Sequence, residues 1–120
     1  MRILLVDDEA EFVSTLAERL TMRGYQADYS ITAGNALDLA AKHLYDVAVL
    51  DMKMPGTSGL ELQARLAEKH PAMRFIFLTG HGSEDDYSAG SRQAAHYLVK
   101  PVDINTLIAK INQTVFANDR

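Results

Sequence analysis

The chain has 120 residues, a formal net charge of −4 and no cysteine. Its length suits one domain with its own core, and the missing cysteines exclude disulfides, thiolate zinc sites and cysteine nucleophiles. No apolar run nears the roughly 20 residues of a membrane span, no signal peptide opens the chain and no basic cluster invites nucleic acid, so a cytoplasmic protein without direct membrane or nucleic-acid contact is expected.

Arg2-Ile-Leu-Leu-Val6 is a short apolar run, read as a strand, that stops at Asp7-Asp8-Glu9. A helix follows, with Phe12, Val13, Leu16 and Leu20 at helical spacing and Gly24 as its C-terminal stop. Tyr25 to Ser30 reads as a strand in which Tyr25, Ala27 and Tyr29 alternate. Thr32 is positioned to cap a second helix, with Ala36, Leu37, Ala40 and Leu44 on one face. Val47 to Leu50 then run without a polar break between Asp46 and Asp51, the pattern of a strand buried on both faces of a parallel sheet. Pro55-Gly56 predicts a turn just beyond.

Ser58-Gly-Leu-Glu61 has capping-box spacing, and the helix it starts carries Leu62 and Leu66 and ends before Pro71. Arg74-Phe-Ile-Phe-Leu78 is the next apolar strand, stopping at Thr79-Gly-His-Gly82. Ser83 is placed to cap a helix over Glu84 to Ala94, where few large apolar residues predict the least firmly held helix. Tyr97-Leu-Val99 is a short strand ending at Lys100-Pro101. Asp103 caps the last helix, whose stripe of Ile104, Leu107, Ile108, Ile111 and Val115 is the clearest in the chain. The last few residues are expected to fray.

Strands and helices alternate five times, which implies a parallel sheet with right-handed crossovers and helices on both faces. In such a sheet the strand ends share one edge, where ligands bind. Asp7 and Asp8, Asp51, Thr79 and Lys100 would meet there. Three carboxylates in one pocket repel unless a proton or a cation neutralises them. Hard oxygen donors without thiolate favour Mg²⁺ or Mn²⁺, and Mg²⁺ held this way works on phosphoryl groups. Lys100 and Thr79 suit phosphoryl oxygens, and an Asp can itself be the nucleophile. The chemistry expected is phosphoryl transfer onto a carboxylate, with Asp51 the most central. Alone, each residue has a plainer reading: a dipole-favoured helix start at Asp7-Asp8, a turn residue at Asp51, a strand-end hydroxyl at Thr79, a surface charge at Lys100. Their convergence is what favours chemistry. Glu9 reads as a first-turn helix charge rather than a ligand, and His43, His70 and His96 as structural residues.

Leu5-Val-Asp-Asp-Glu9, Asp46-Val-Ala-Val-Leu-Asp-Met-Lys-Met-Pro-Gly56, Leu78-Thr79 and Tyr97-Leu-Val-Lys-Pro101 together resemble the receiver domain of bacterial two-component response regulators. The resemblance covers nearly the whole chain and implies a single receiver domain over 1–120. Its fold would be flavodoxin-like, a doubly wound (βα)5 sheet in strand order 2-1-3-4-5. It implies that Asp51 is the phosphoacceptor, charged from the phosphohistidine of a sensor histidine kinase or a phosphotransfer protein. Asp8, Asp51 and the backbone carbonyl of Lys53 would bind Mg²⁺, with Asp7 acting through water. Thr79 and Lys100 would grip the phosphoryl group, and Tyr97 would swing inward as Thr79 moves. That shift would repack the face of the fourth helix, fifth strand and fifth helix, which meets an output partner, an effector domain or a second copy. Lys53 and His81 fall at positions that tune the lifetime of the aspartyl-phosphate, and Lys100-Pro101 is a cis peptide in the family.

Two departures stand out. Lys100 follows Thr79 one position earlier than the family pattern, with the gap near Ala94-Ala-His-Tyr97, and Gly80 replaces a small alanine. The rival readings are a receiver that only docks and a phosphatase of the haloacid-dehalogenase type. The second would want an Asp where Lys53 stands. Nucleotide binding lacks its glycine loop after the first strand.

Overall fold

A computed structural model of the chain describes residues 1–80 and 96–116. His81, the Ser83 cap and the helix expected over Glu84 to Ala94 lie outside the described residues. The elements run β1 (Arg2–Val6), α1 (Ala10–Met22), β2 (Gln26–Ser30), α2 (Ala33–Lys42), β3 (Val47–Asp51), β4 (Lys53–Met54), β5 (Thr57–Ser58), α3 (Gly59–Lys69), β6 (Arg74–Thr79), β7 (His96–Val99) and a last helix, Ile104–Phe116.

The main sheet has the order β2-β1-β3-β6-β7, all neighbours parallel. Counting only its five strands, this is the expected 2-1-3-4-5 order. The chain steps one way from β1 to β2 and the other way from β3 onward, so the switch in direction lies between β1 and β3. Each strand alternates its side chains between two apolar layers. Ile3, Leu5, Val47, Val49, Ile76 and Leu78 face α1 and the last helix. Leu4, Val6, Ala48, Leu50, Phe75 and Phe77 face α2 and α3. Val47 to Leu50 are wholly buried, as an unbroken apolar run between two helical layers requires.

The helix ends follow their sequence signals. Gly24 ends the first helix region at φ +95°, a conformation a side chain would resist. The Thr32 hydroxyl accepts from the Asn35 N–H at 3.1 Å. Ser58 and Glu61 close a full capping box on α3. Asp103 accepts from the Thr106 N–H at 2.8 Å, and that bond holds its carboxyl below the ordinary range. Thr32→Ala removes one cap and should cost about 1 kcal/mol in urea denaturation; a loss under about 0.3 kcal/mol would mean water replaces the cap fully.

Two local expectations are corrected, and one is met within a larger motif. Leu44 is 83% exposed, because α2 stops at Lys42, two residues short of it. Tyr45 is buried instead, its hydroxyl donating to Asp28 Oδ2 at 2.6 Å. Along β2 and the residue before it, Tyr25 and Ala27 pack on the core but Tyr29 is exposed, since this edge strand has a neighbour on one side only. Beyond Asp51, the expected Pro-Gly turn is wrapped in a small antiparallel ladder, β4 with β5, with Gly56 at φ +83°.

Candidate functional site

The ladder bonds carry past the strand ends and set the site's backbone. The Asp7 N–H donates to the Ser30 carbonyl at 3.1 Å, continuing β1. The Met52 N–H donates to the Leu78 carbonyl at 2.9 Å, continuing β3, and the Lys100 N–H donates to the Thr79 carbonyl at 2.7 Å, continuing β7. Residues from three strand ends therefore meet beside the switch in strand direction, as expected for this sheet.

Asp7 and Asp51 are buried, and Asp8 is exposed. One carboxylate oxygen from each of the three lies within 4.8 Å of the others. The Lys100 ammonium reaches into this group, 2.7 Å from Asp7 Oδ2 and 3.6 Å from Asp51 Oδ2. It also sits 2.7 Å from Glu9 Oε1 and 5.2 Å from the centre of the Phe12 ring. Asp7 Oδ1 accepts from the Glu9 N–H at 2.8 Å, and Asp51 Oδ1 accepts from the Lys53 N–H at 3.3 Å. A cleft of about 340 Å³ opens above, lined by Asp8, Glu9, Asp51, Met52, Lys53, Gly80 and Lys100. A groove of similar size between α2 and α3 gathers only one acid, Glu68.

Electrostatics follow from that crowding. Burial, then the charge of Asp7, pushes the Asp51 carboxyl up to about 6; Lys100 and the Lys53 N–H pull the other way. Burial also raises Asp7, against the hydrogen bond from Lys100. Burial would lower Lys100, but its bonds to Asp7 and Glu9 outweigh that and hold its proton firmly. One ammonium cannot neutralise three clustered carboxylates. The donors are hard oxygens, partly open to solvent at Asp8 and backed by a lysine. That set fits a divalent oxygen-loving cation such as Mg²⁺ or Mn²⁺.

Asp7, Asp8, Asp51 and Lys100 are thus brought together. Thr79 is buried at the end of β6, one residue beyond the partner of Asp51 in the ladder, and Gly80 rather than Thr79 lines the cleft. Tyr97 is half-buried on β7, its ring stacked on Phe77 with centres 5.4 Å apart. The Lys53 side chain is exposed at the cleft's rim. Lys100-Pro101 is cis. Glu9 is more than the first-turn helix charge its position suggests: its carboxylate makes no capping bond and pairs with Lys100. The available signal was its place directly after Asp7-Asp8, within one turn of the strand end.

The sequence matches the response regulator receiver domain family over residues 3–112. Among curated proteins it is 33% identical over 111 residues to the response regulator ArlR of Staphylococcus aureus, covering 92% of this chain and 50% of that one. The chain spans about half the length of the curated relatives it matches. Among solved structures it is similar to a response regulator from Burkholderia pseudomallei with a phosphorylated aspartic acid, a calcium ion and citrate. Identity there is 32%, the TM-score 0.81, and coverage 91% of this chain and 65% of that one. It is also similar to the response regulator TrrA of Thermotoga maritima in complex with Mg²⁺ and BeF, at 33% identity and a TM-score of 0.79, covering 93% and 96%.

Proposed function

Because the chain belongs to the response regulator receiver domain family, it is a phosphoacceptor switch of two-component signalling, and we propose that Asp51 is the residue that takes the phosphoryl group. The observation that carries this is the position of its carboxylate: at the end of the central strand β3, 3.6 Å from Lys100 and clustered with Asp7 and Asp8. The donor is the phosphohistidine of a sensor histidine kinase or a phosphotransfer protein. An Asp51 oxygen attacks phosphorus, the O–P bond forms, and the P–N bond breaks. The departing imidazole nitrogen keeps the electron pair and takes up a proton.

Asp8, Asp51 and the Lys53 carbonyl would hold Mg²⁺ or Mn²⁺, with Asp7 acting through water. When bound, the ion neutralises the charge that donor and acceptor would otherwise crowd together. Asp51 must be ionised to attack, and Lys100 favours that state. A phosphoryl group on Asp51 adds about 1.5 to 2 negative charges. Lys100 would pair with it, and Thr79 would follow it with its hydroxyl. Tyr97, stacked on Phe77 beside Thr79's strand, would report that movement to the face formed with the fourth and fifth helices. Lys53 and His81 would set the lifetime of the acyl phosphate. The same reading takes 1–120 as one receiver domain working in the cytoplasm, turning over no outside substrate and passing its state to an output partner, an effector domain or a second copy.

Intact mass after incubation with Mg²⁺ and a small phosphodonor tests this. One phosphoryl group should be gained, and none by Asp51→Asn. No gain with that donor or with a range of kinases would replace this reading with a module that only docks.

A further inference from the structure

Lys100 is already occupied in this structure, and one of its occupants has no assigned part in the switch. Its ammonium has three donors. Its nitrogen lies 2.7 Å from one carboxylate oxygen of Asp7 and 2.7 Å from one of Glu9, and Asp51 is the distant third acid at 3.6 Å. We propose that Glu9 is a positioning residue for the switch: a resident carboxylate that holds Lys100 at the cleft's rim and competes with the phosphoryl group for it. This rests on Asp51 being the phosphoacceptor.

Three observations separate Glu9 from Asp7. Asp7 is wholly buried and its other oxygen is tied to the Glu9 N–H, so water cannot readily replace Lys100 at its carboxylate. The Glu9 side chain is 61% exposed, so water can take over its carboxylate when the lysine leaves. Glu9 also stands at the N-cap of α1 without using its side chain to cap the helix. Its carboxylate is committed to Lys100 alone among the described contacts. Lys100 lies over the Phe12 ring, one turn further along α1, with its ammonium between the Glu9 carboxylate at 2.7 Å and that of Asp51 at 3.6 Å. Glu9 lines the same cleft as Asp51. Its negative charge therefore opposes a phosphoryl group in two ways: by occupying the cation and by direct repulsion.

An exposed ion pair is worth up to about 1 kcal/mol, so releasing it should change an affinity by about two- to fivefold. The probe is beryllofluoride with Mg²⁺, which stands in for a phosphoryl group on a carboxylate. Its binding is titrated by NMR on the full chain, following the Lys100 backbone amide and side-chain ammonium. Glu9→Gln should bind about two- to fivefold more tightly than wild type, with the free-state Lys100 ammonium resonance moved toward its bound position. Glu11→Gln removes an equal charge from the same helix turn, away from Lys100, and should leave both readouts unchanged. A purely structural role for Glu9 would not move the lysine resonance. Unchanged affinity in Glu9→Gln, or an equal gain in Glu11→Gln, would overturn the proposal. Failure of wild type to bind the probe or to gain a phosphoryl group would instead overturn the assignment of Asp51.

Discussion

Gly59→Ala should destabilise the protein by about 1–4 kcal/mol, although alanine is the better helix former. Gly59 is the first residue of α3, where helix propensity would favour the change. An added Cβ would lie 2.4 Å from the Asp51 carbonyl oxygen and 3.1 Å from Met52 Cα. Those are backbone atoms of the strand end that carries the site, so they cannot rotate away. The Gly59 N–H also donates to the Met52 carbonyl at 3.0 Å, a bond the displacement would stretch. Overpacking costs about 1–3 kcal/mol and a weakened hydrogen bond about 1 kcal/mol, against a propensity gain of at most about 1 kcal/mol. Steric conflict wins. Because the strained atoms belong to Asp51 and Met52, Mg²⁺ affinity should fall with stability. Gly34→Ala is the control: nothing lies within 4 Å of its Cβ position, and it should be neutral or stabilise by up to about 1 kcal/mol. Urea midpoints for both variants decide it, and a Gly59→Ala midpoint at or above wild type would show that α3 can slide off the strand end.

That contact shows what the sequence could not carry. Ser58-Gly-Leu-Glu61 announced a helix start, and the capping box formed as its local spacing demands. Nothing in the spacing said that the helix start would press against Asp51, because that approach depends on where β3 ends in space. The fold itself was legible. Unbroken runs such as Val47 to Leu50 need two covering layers, and alternating strands and helices leave few topologies. The convergence of Asp7, Asp8, Asp51 and Lys100 followed from topology, since parallel strand ends must share an edge. Contacts made by reach rather than by topology were not legible. Glu9 meets Lys100 across 91 positions through two long side chains, and Tyr45 takes the buried place expected of Leu44 because α2 ends early. Thr79 ended its strand as expected, but only the structure shows that it lies beneath the cleft rather than on its lining.

In metal-free buffer, Asp51→Asn should be more stable than wild type by about 1–3 kcal/mol at pH 8, with the gain vanishing near pH 4. The folded-state pKa of Asp51 is about 6, above the roughly 3.9 of an unfolded aspartate. Between those values the native chain holds a proton that the unfolded chain has lost. Wild-type stability therefore falls as pH rises from about 4 to 6 and stays reduced above, which is the sign expected of a carboxyl raised by burial. A shift of about two units sets an upper limit near 3 kcal/mol. Solvent reaching the cleft and the lost attraction of Lys100 for the carboxylate reduce it. Asp7 is also raised, but it is present in both proteins and cancels in the difference at first order. Mg²⁺ should reverse the ranking: a cation that binds the ionised Asp51 stabilises wild type by mass action and helps Asp51→Asn much less. Urea denaturation from pH 4 to 8, with a chelator and with Mg²⁺, measures all of this. If Asp51→Asn were less stable than wild type at pH 8 without metal, Lys100 alone would suffice to neutralise Asp51, and the case for a cation built on unbalanced carboxylates would fall.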